Sequence, residues 1–498
     1  MTAYHVVWDN VPLFLHSVAD TAIRLFRTIA DIDDADCLLI QLPENLETIP
    51  QLHVHSPSHR LAWLDDSTFA DLHKKASLDA QADPRYSYQY PDEAYAAANQ
   101  KKLFHQALKA EVTARLDEHP DKPSDLQFFV APPTNSFGHF ACVVLFLTVA
   151  SSHEHHCLQT KEVTVGEDLI YNVRTSLVDA VAQELFECAN QELGKQNPDI
   201  ILFASIPPML RRAGQRLAEG ALWRVHGTTA GPASDLFDTC CSLSTLRYEG
   251  AVGEGRLVLA STSHNALRSE VSLVEPIELR DLRGVRKLLE LSSETMVLHC
   301  DGTNVFGLVG LDEYDAEGED LYVVHIEGDR RWSLSHDNKL LMNVRDGIPS
   351  LPAANSVEEE LRKALSQAFG NLDDEKVEMI TALVQAASEE TSGTMVVVSL
   401  AAAEEAERLS SQGNCIVPRK VDKEMLKHLT PIDGALLFDP DGVLHGIGMI
   451  LDGQATTEGD RSRGARYNSA VRYINANRGV RTAVAAVVSE DGGTVVVV

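Results

Sequence analysis

Asp433-Gly434-Ala435 and, about thirty residues later, Gly464-Ala465-Arg466-Tyr467-Asn468 are the two pieces on which this chain's fold turns. The first lies between a helical pattern at 422–429 and the short apolar run at 435–438, which the turn Asp439-Pro440-Asp441-Gly442 closes. The second opens a helical pattern at 465–476. There Tyr467, Ala470, Val471 and Ile474 recur at i, i+3, i+4, i+7, a face suited to packing on a sheet. Outward from these pieces, apolar runs at 394–400, 443–451, 483–488 and 494–498 predict further strands, with Ser489-Glu490-Asp491-Gly492-Gly493 as a hairpin turn. Helical patterns at 356–369, 373–389 and 401–411 predict the remaining elements, the first opened by the capping box Ser356-Val357-Glu358-Glu359. The expected architecture is a mixed β-sheet flanked by helices.

Charge reverses around the second piece. Between Asp460 and Arg481 there are six arginines (Arg461, Arg463, Arg466, Arg472, Arg478, Arg481), no lysine and one acid, in a chain of formal net charge -30. A planar guanidinium suits phosphate oxygens. Gly464 lets the backbone come close, and the free N–H groups of a helix start together with Arg466 make an anion site. Arg463 stands on the approach, and Asn468, Arg472 and Asn475 share a second helix face. Asp433, at the start of a strand, can hold a divalent metal or accept a ribose hydroxyl. Taken singly, Asp-Gly is a common turn pair and an arginine cluster can be a solvated face. Together they point to a nucleoside triphosphate, a metal on an aspartate and phosphoryl-type chemistry.

The 498-residue chain is long enough for about three domains. Composition divides it at 1–160, a mixed α/β region; 161–350, a strand-rich α+β region; and 356–498. The overall class is therefore multidomain α/β. Helices are expected at 11–30, 94–116, 168–193 and 208–219. Strands are expected at 37–42, 127–130, 140–149, 199–204, 256–260, 295–299, 321–326 and 339–344. The run 347–355, with two prolines, reads as a linker. The acidic balance argues against general nucleic-acid binding. No stretch approaches 18 apolar residues, so no membrane helix is expected, and no signal peptide is evident. Eight scattered cysteines without a CxxC pair fit reduced thiols in a cytoplasmic protein.

Three further clusters carry ligand-type side chains. His153-Glu154-His155-His156-Cys157 would place His153, His155 and Cys157 on one side of a strand, a set suited to a transition metal, or form a polar loop. His53, His55 and His59 are a weaker group of the same kind. The acidic run 312–320 lacks calcium-loop spacing and reads as a solvated loop.

The segment 393–498 resembles the diadenylate cyclase family, the nucleotide-binding domain of the DNA-integrity-scanning protein and its relatives. Asp433-Gly434-Ala435 matches that family's Asp-Gly-Ala. Gly464 and Arg466 match its Gly-Thr-Arg-His-Arg, where Ala465 replaces the threonine, Tyr467 the histidine and Asn468 the second arginine. Ser489-Glu490 matches its late Ser-Glu. The resemblance implies that two such domains meet face to face in a homo-oligomer, each holding one ATP and a divalent metal, Mg2+ or Mn2+, and close cyclic di-AMP with release of two pyrophosphates. Carried across, Asp433 and Arg466 are the catalytic residues. Gly434, Ala435, Arg463, Gly464, Ala465, Tyr467, Asn468 and Arg472 line the nucleotide, and Asp433 with Glu490 holds the metal. The first 350 residues then form a sensor for an unknown ligand. The altered second motif leaves open a different class of function, a nucleotide-binding sensor or interaction module without catalysis.

Overall fold

The structure is a computed structural model. It describes residues 10–30, 32–43, 52–56, 58–88, 92–136, 138–148, 156–165, 169–195, 205–226, 235–248, 251–252, 254–293, 295–337, 339–351, 357–370, 372–388, 393–453, 465–478, 481–488 and 494–498. The chain divides into two compact units, residues 1–354 and 355–498.

In the first unit, the strands Ala35–Pro43, His53–His55, Leu126–Val130, Thr134–Ser136 and His139–Thr148 form one antiparallel sheet. His139–Thr148 is central and almost wholly buried, as its unbroken apolar run demands. The helix Val11–Ala30 covers one face of this sheet, and Leu72–Ala82 with Glu93–Asp117 covers the other. An eight-stranded sheet follows, whose outer strands are Leu267–Glu278 and Ile348–Ser350. Residues on both sides of position 160 share one hydrophobic core, which runs from Val11 to Leu351. The buried Trp332 stacks edge-on against Phe237 at 5.3 Å and donates to the Cys241 thiol at 3.4 Å. The Leu351 N–H donates to the Ile29 carbonyl at 2.6 Å.

Four local expectations need correction here. The segment expected as one helix from 168 is a strand, Leu169–Asn172, paired with Glu162–Val165; the helix is Leu177–Leu193. Ser176 sets that start, because its hydroxyl accepts the Asp179 N–H at 3.1 Å. The expected linker begins inside the sheet, since 348–350 pairs with 343–345. The acidic run is only partly solvated. Glu319 is buried, accepts the Gln159 and Thr160 N–H groups at 2.6 and 3.0 Å, and faces Arg224. The strands Leu267–Glu278, Asn304–Leu311 and Arg331–His336 are additional to those expected. The expected strand at 199–204, Ser356 and residues 153–155 lie outside the described residues.

The second unit is a three-layer α/β/α sandwich. In chain order its elements are α1 (Val357–Phe369), α2 (Asp374–Ser388), β1 (Thr394–Ser399), α3 (Ala402–Arg408), β2 (Asn414–Lys420), α4 (Lys423–Leu429), β3 (Ala435–Phe438), β4 (Val443–Met449), α5 (Ala465–Asn477), β5 (Ala483–Val488) and β6 (Thr494–Val497). The sheet order is β2-β4-β3-β1-β5-β6. Only β1 and β3 run parallel; the remaining pairs are antiparallel. Strands β1, β3 and β5 are buried on both faces and alternate between two cores. Val396, Val398, Leu436, Phe438, Val484 and Ala486 pack with α1, α2 and α4. Met395, Val397, Ala435, Leu437, Ala485 and Val487 pack with α3 and α5. This mixed sheet between helices is the architecture expected from the sequence. The edge strand β2 is additional; it is exposed except at Ile416, has an irregular register between Cys415 and Arg419, and carries Pro418.

Candidate functional site

Asp433 and Gly434 sit just before β3, at the end of the sheet where β1 also begins. Ala435 opens β3, is fully buried, and pairs with Met395 of β1 and Met449 of β4. Gly434 makes the turn possible. Its φ is 109°, and a Cβ there would lie 2.5 Å from the Gly448 carbonyl carbon. No other side chain fits that backbone and that gap. Gly448 itself has φ 62°. The two glycines let the β3 entrance and the β4 exit touch backbone to backbone.

This turn pushes the Asp433 carboxylate outward. Its side chain is 85% exposed, and one oxygen accepts the Gly434 N–H at 3.1 Å. Facing it is Arg466, in the first turn of α5, with its guanidinium 3.7 Å from the same Asp433 oxygen. Two residues singled out thirty-three positions apart are thus brought together at a strand start and a helix start. Val488, the residue before Ser489, pairs with Thr394 and so ends β5 at this same end of the sheet.

The other expected lining residues divide. Ala465 is exposed at the helix start, Asn468 half-buried and Arg472 exposed. Tyr467 packs against the core beneath α5, as the apolar stripe implies. Arg463, Gly464 and Glu490 lie outside the described residues. Tyr473, fully buried, and Asn477 extend that stripe, and Tyr473 anchors the face.

Tyr473 belongs to a polar cluster, centred on the buried Glu405 and reaching the surface at Asp452, that the sequence does not announce. Its hydroxyl donates to Glu405 of α3 at 2.9 Å. Arg408 donates to both oxygens of Glu405 at 2.9 and 2.7 Å, and to both oxygens of Asp452 at 2.5 and 2.8 Å. Arg481, just beyond α5, reaches Glu405 at 2.7 Å. Burial pushes the Glu405 carboxyl up, but hydrogen bonds from Arg408 and Tyr473 and the charges of Arg408 and Arg481 outweigh it and hold it below its ordinary range. The hydrogen bonds to Arg408 likewise hold Asp452 low. The cluster ties α5 at its middle and beyond its C-terminal end to α3, and so fixes where the Arg466 end of α5 lies. The Glu405/Arg408 pair at i, i+3 was its one sequence signal.

The donor set bears on a metal. Among the described residues no three His, Cys, Asp or Glu side chains cluster as a cation cage. One exposed carboxylate beside an arginine fits a Mg2+ or Mn2+ that arrives with nucleotide phosphates and keeps its other ligands from phosphate and water. His53, His55 and His59 form no such cage, while His153, Glu154 and His155 lie outside the described residues. His156 shares a hydrogen bond with the Leu340 carbonyl at 2.6 Å, and His55 with the Gln41 amide at 3.1 Å.

Comparison with known protein families places these observations. Residues 381–498 match the family described as DisA bacterial checkpoint controller nucleotide-binding. Residues 7–218 match the probable sensor domain DACNG, and residues 234–338 the probable sensor domain DACNH. No curated protein matches the chain. No helix among the described residues is long and apolar enough to cross a membrane. The chain thus carries a domain of the DisA nucleotide-binding family at 381–498, with segments matching two probable sensor domains ahead of it.

Proposed function

We propose that this protein is a diadenylate cyclase, condensing two ATP into cyclic di-AMP and two pyrophosphates under control of its N-terminal unit. The observation that carries the proposal is the meeting of Asp433 and Arg466, 3.7 Å apart, at a helix N-terminus. That arrangement offers an anion-binding end, a guanidinium for phosphate and a carboxylate for a hydroxyl or a cation.

In this reading the α5 N-terminus and Arg466 hold the phosphates of one ATP. Arg463 and Arg472 add positive charge, and Gly464, Ala465, Tyr467 and Asn468 complete the wall. Gly434 and Ala435 give the nucleotide a close backbone floor. Asp433 orients the ribose 3′-hydroxyl and, with Glu490, provides carboxylate oxygens for the cation. A bound Mg2+ or Mn2+ supplies Lewis-acid neutralisation of phosphate charge. The 3′-oxygen of each ATP attacks the α-phosphorus of the other. A new P–O bond forms, the bond from the α-phosphorus to the bridging oxygen breaks, and pyrophosphate leaves with its electron pair while the hydroxyl proton departs. One domain holds one nucleotide, so two facing domains of a homo-oligomer are needed. The chain's contribution is mostly positioning and charge stabilisation.

Ala465 and Asn468 stand where the family motif has a hydroxyl and a second arginine, which favours a second reading, a nucleotide-binding module without turnover. The deciding experiment incubates the purified full chain with ATP and Mn2+ or Mg2+ and identifies products by mass spectrometry, with Asp433→Asn as control. Cyclic di-AMP from the wild type alone supports the cyclase. ATP binding without consumption, lost in Arg466→Ala, supports the second reading. Absence of both binding and product defeats both.

A further inference from the structure

The N-terminal unit contains a cavity of about 300 Å³ between the helices Leu72–Ala82 and Glu93–Asp117 and the start of the strand His139–Thr148. Its apolar wall is aromatic. Phe104 and Phe140 lie 4.8 Å apart, and the His73 ring stacks at 4.9 Å from Phe104. Besides His73, its polar groups are Ser77, Gln81, Gln100, Lys101 and the phenol of Tyr86. Among the described residues no carboxylate lines it. Lys101 is exposed, with its ammonium 6.0 Å from the centre of the Phe140 ring.

His73 marks this as more than a packing gap. It is 9% exposed, and its Nδ1 shares a hydrogen bond with Ser77 at 3.3 Å. Its Nε2 is buried and has no hydrogen-bond partner among the described residues. Burial lowers its pKa, so the ring is neutral near pH 7 and that nitrogen can donate or accept according to tautomer. Buried polar atoms are normally satisfied, and an unsatisfied one beside a cavity calls for an occupant. A second, larger hollow beside Val54 and His59 carries no such group. The carboxylate of Asp65 there is already taken by Ser67 and Thr68, and that of Asp66 by the Val54 N–H.

We propose that this cavity is the ligand site of the N-terminal unit and that it takes a small planar aromatic carboxylate. The ring lies among Phe104, Phe140 and His73, the His73 Nε2 and Ser77 hydroxyl meet a polar substituent, and Lys101 at the rim meets the carboxylate. The volume stands at the small end of ligand pockets, about 300–1,000 Å³, which limits the ligand to one ring or two with a short arm. The lysine at the rim, with no acid among the described lining residues, favours an anion, and the aromatic walls favour a flat one.

The test uses the full chain with benzoate and 4-hydroxybenzoate as probes and benzamide as the uncharged control, read by calorimetry and ligand-observed NMR. Saturable one-to-one binding is expected with a Kd on the order of millimolar or tighter. Lys101→Ala should weaken benzoate roughly tenfold or more and leave benzamide unchanged. Gln81→Trp, at an exposed rim position, should abolish binding without disturbing the core; a melting temperature equal to wild type confirms the fold. Absence of saturable binding by both carboxylates overturns the proposal. So does benzoate binding that survives both substitutions, or benzamide binding as tight as benzoate. None of these readouts depends on nucleotide turnover.

Discussion

Asp433, Gly434 and Arg466 carry separable consequences. Replacing Asp433 by Asn preserves size and removes charge, so nucleotide binding should persist while cyclic di-AMP formation falls about 10²–10³-fold or further, measured as initial rate by mass spectrometry. Arg466→Ala should lower both ATP binding and turnover, because it removes ground-state phosphate affinity as well. A rate unchanged by Asp433→Asn would remove this carboxylate from the chemistry. Gly434→Ala is a stability test. Its backbone lies where side chains are strained at a cost of about 1–3 kcal/mol, and a methyl would press on Gly448. The variant should therefore melt lower and show faster hydrogen exchange in 435–438 and 443–449. Equal exchange would mean that the turn relaxes freely. The nearness of Asp433 to Arg466 could be anticipated from sequence, because each stands at the start of an element whose pattern is plain. The burial of Glu405 could not, since an acid on a short helix is ordinarily solvated and only the fold shows it sealed under Tyr473.

For helices and strands, the polar cluster joining α3 to α5 is the feature most open to test. Glu405 and Asp452 have folded pKa values below their ordinary ones. Their stabilisation is therefore complete above the unfolded values, about 3.9–4.3, and is lost as pH falls through the lower folded values. Protection factors of the β1 and β5 amides, taken relative to intrinsic exchange at each pH, should fall as the pH is lowered below about 4. Glu405→Gln should cost about 1–3 kcal/mol near neutrality, because Arg408, Arg481 and the Tyr473 hydroxyl lose a charged acceptor while both arginines stay partly in water, and should flatten the acid response. An acid response as steep as wild type in Glu405→Gln would assign it to other groups. Elements with clear periodicity were readable: Val11–Ala30, Ala435–Phe438 and Ala483–Val488 have the boundaries expected of them. Elements shaped by their partners were not. The exposed strands Leu267–Glu278 and β2 bury too little apolar surface to leave an alternating pattern. The pair 162–165 and 169–172 is adjoined by a helix whose pattern swallowed its second strand.

At the scale of the molecule, the proposed reaction needs two active sites at once. Below the association concentration, the rate per chain should fall in proportion to dilution. Mixing wild type with excess Asp433→Asn should suppress product more than simple dilution does. A rate per chain independent of concentration down to nanomolar levels, in a chain shown monomeric by sedimentation, would sink the face-to-face scheme. The boundary ahead of residue 356 was visible as a change of composition, whereas the internal unity of the first 350 residues was not. Nothing in an apolar run declares which other run it will meet, and the packing of Phe237 on Trp332 spans ninety-five positions.

That shared core bears on how such a protein can be rebuilt. Two segments that match separate sensor families, 7–218 and 234–338, are sealed by one body of buried side chains rather than joined as beads. Grafting either alone onto another output domain would lay bare the surface around Phe237, Trp332 and Leu351. The transferable cassette is the pair, and chimaeras, whether natural or made in the laboratory, should have their seams outside it.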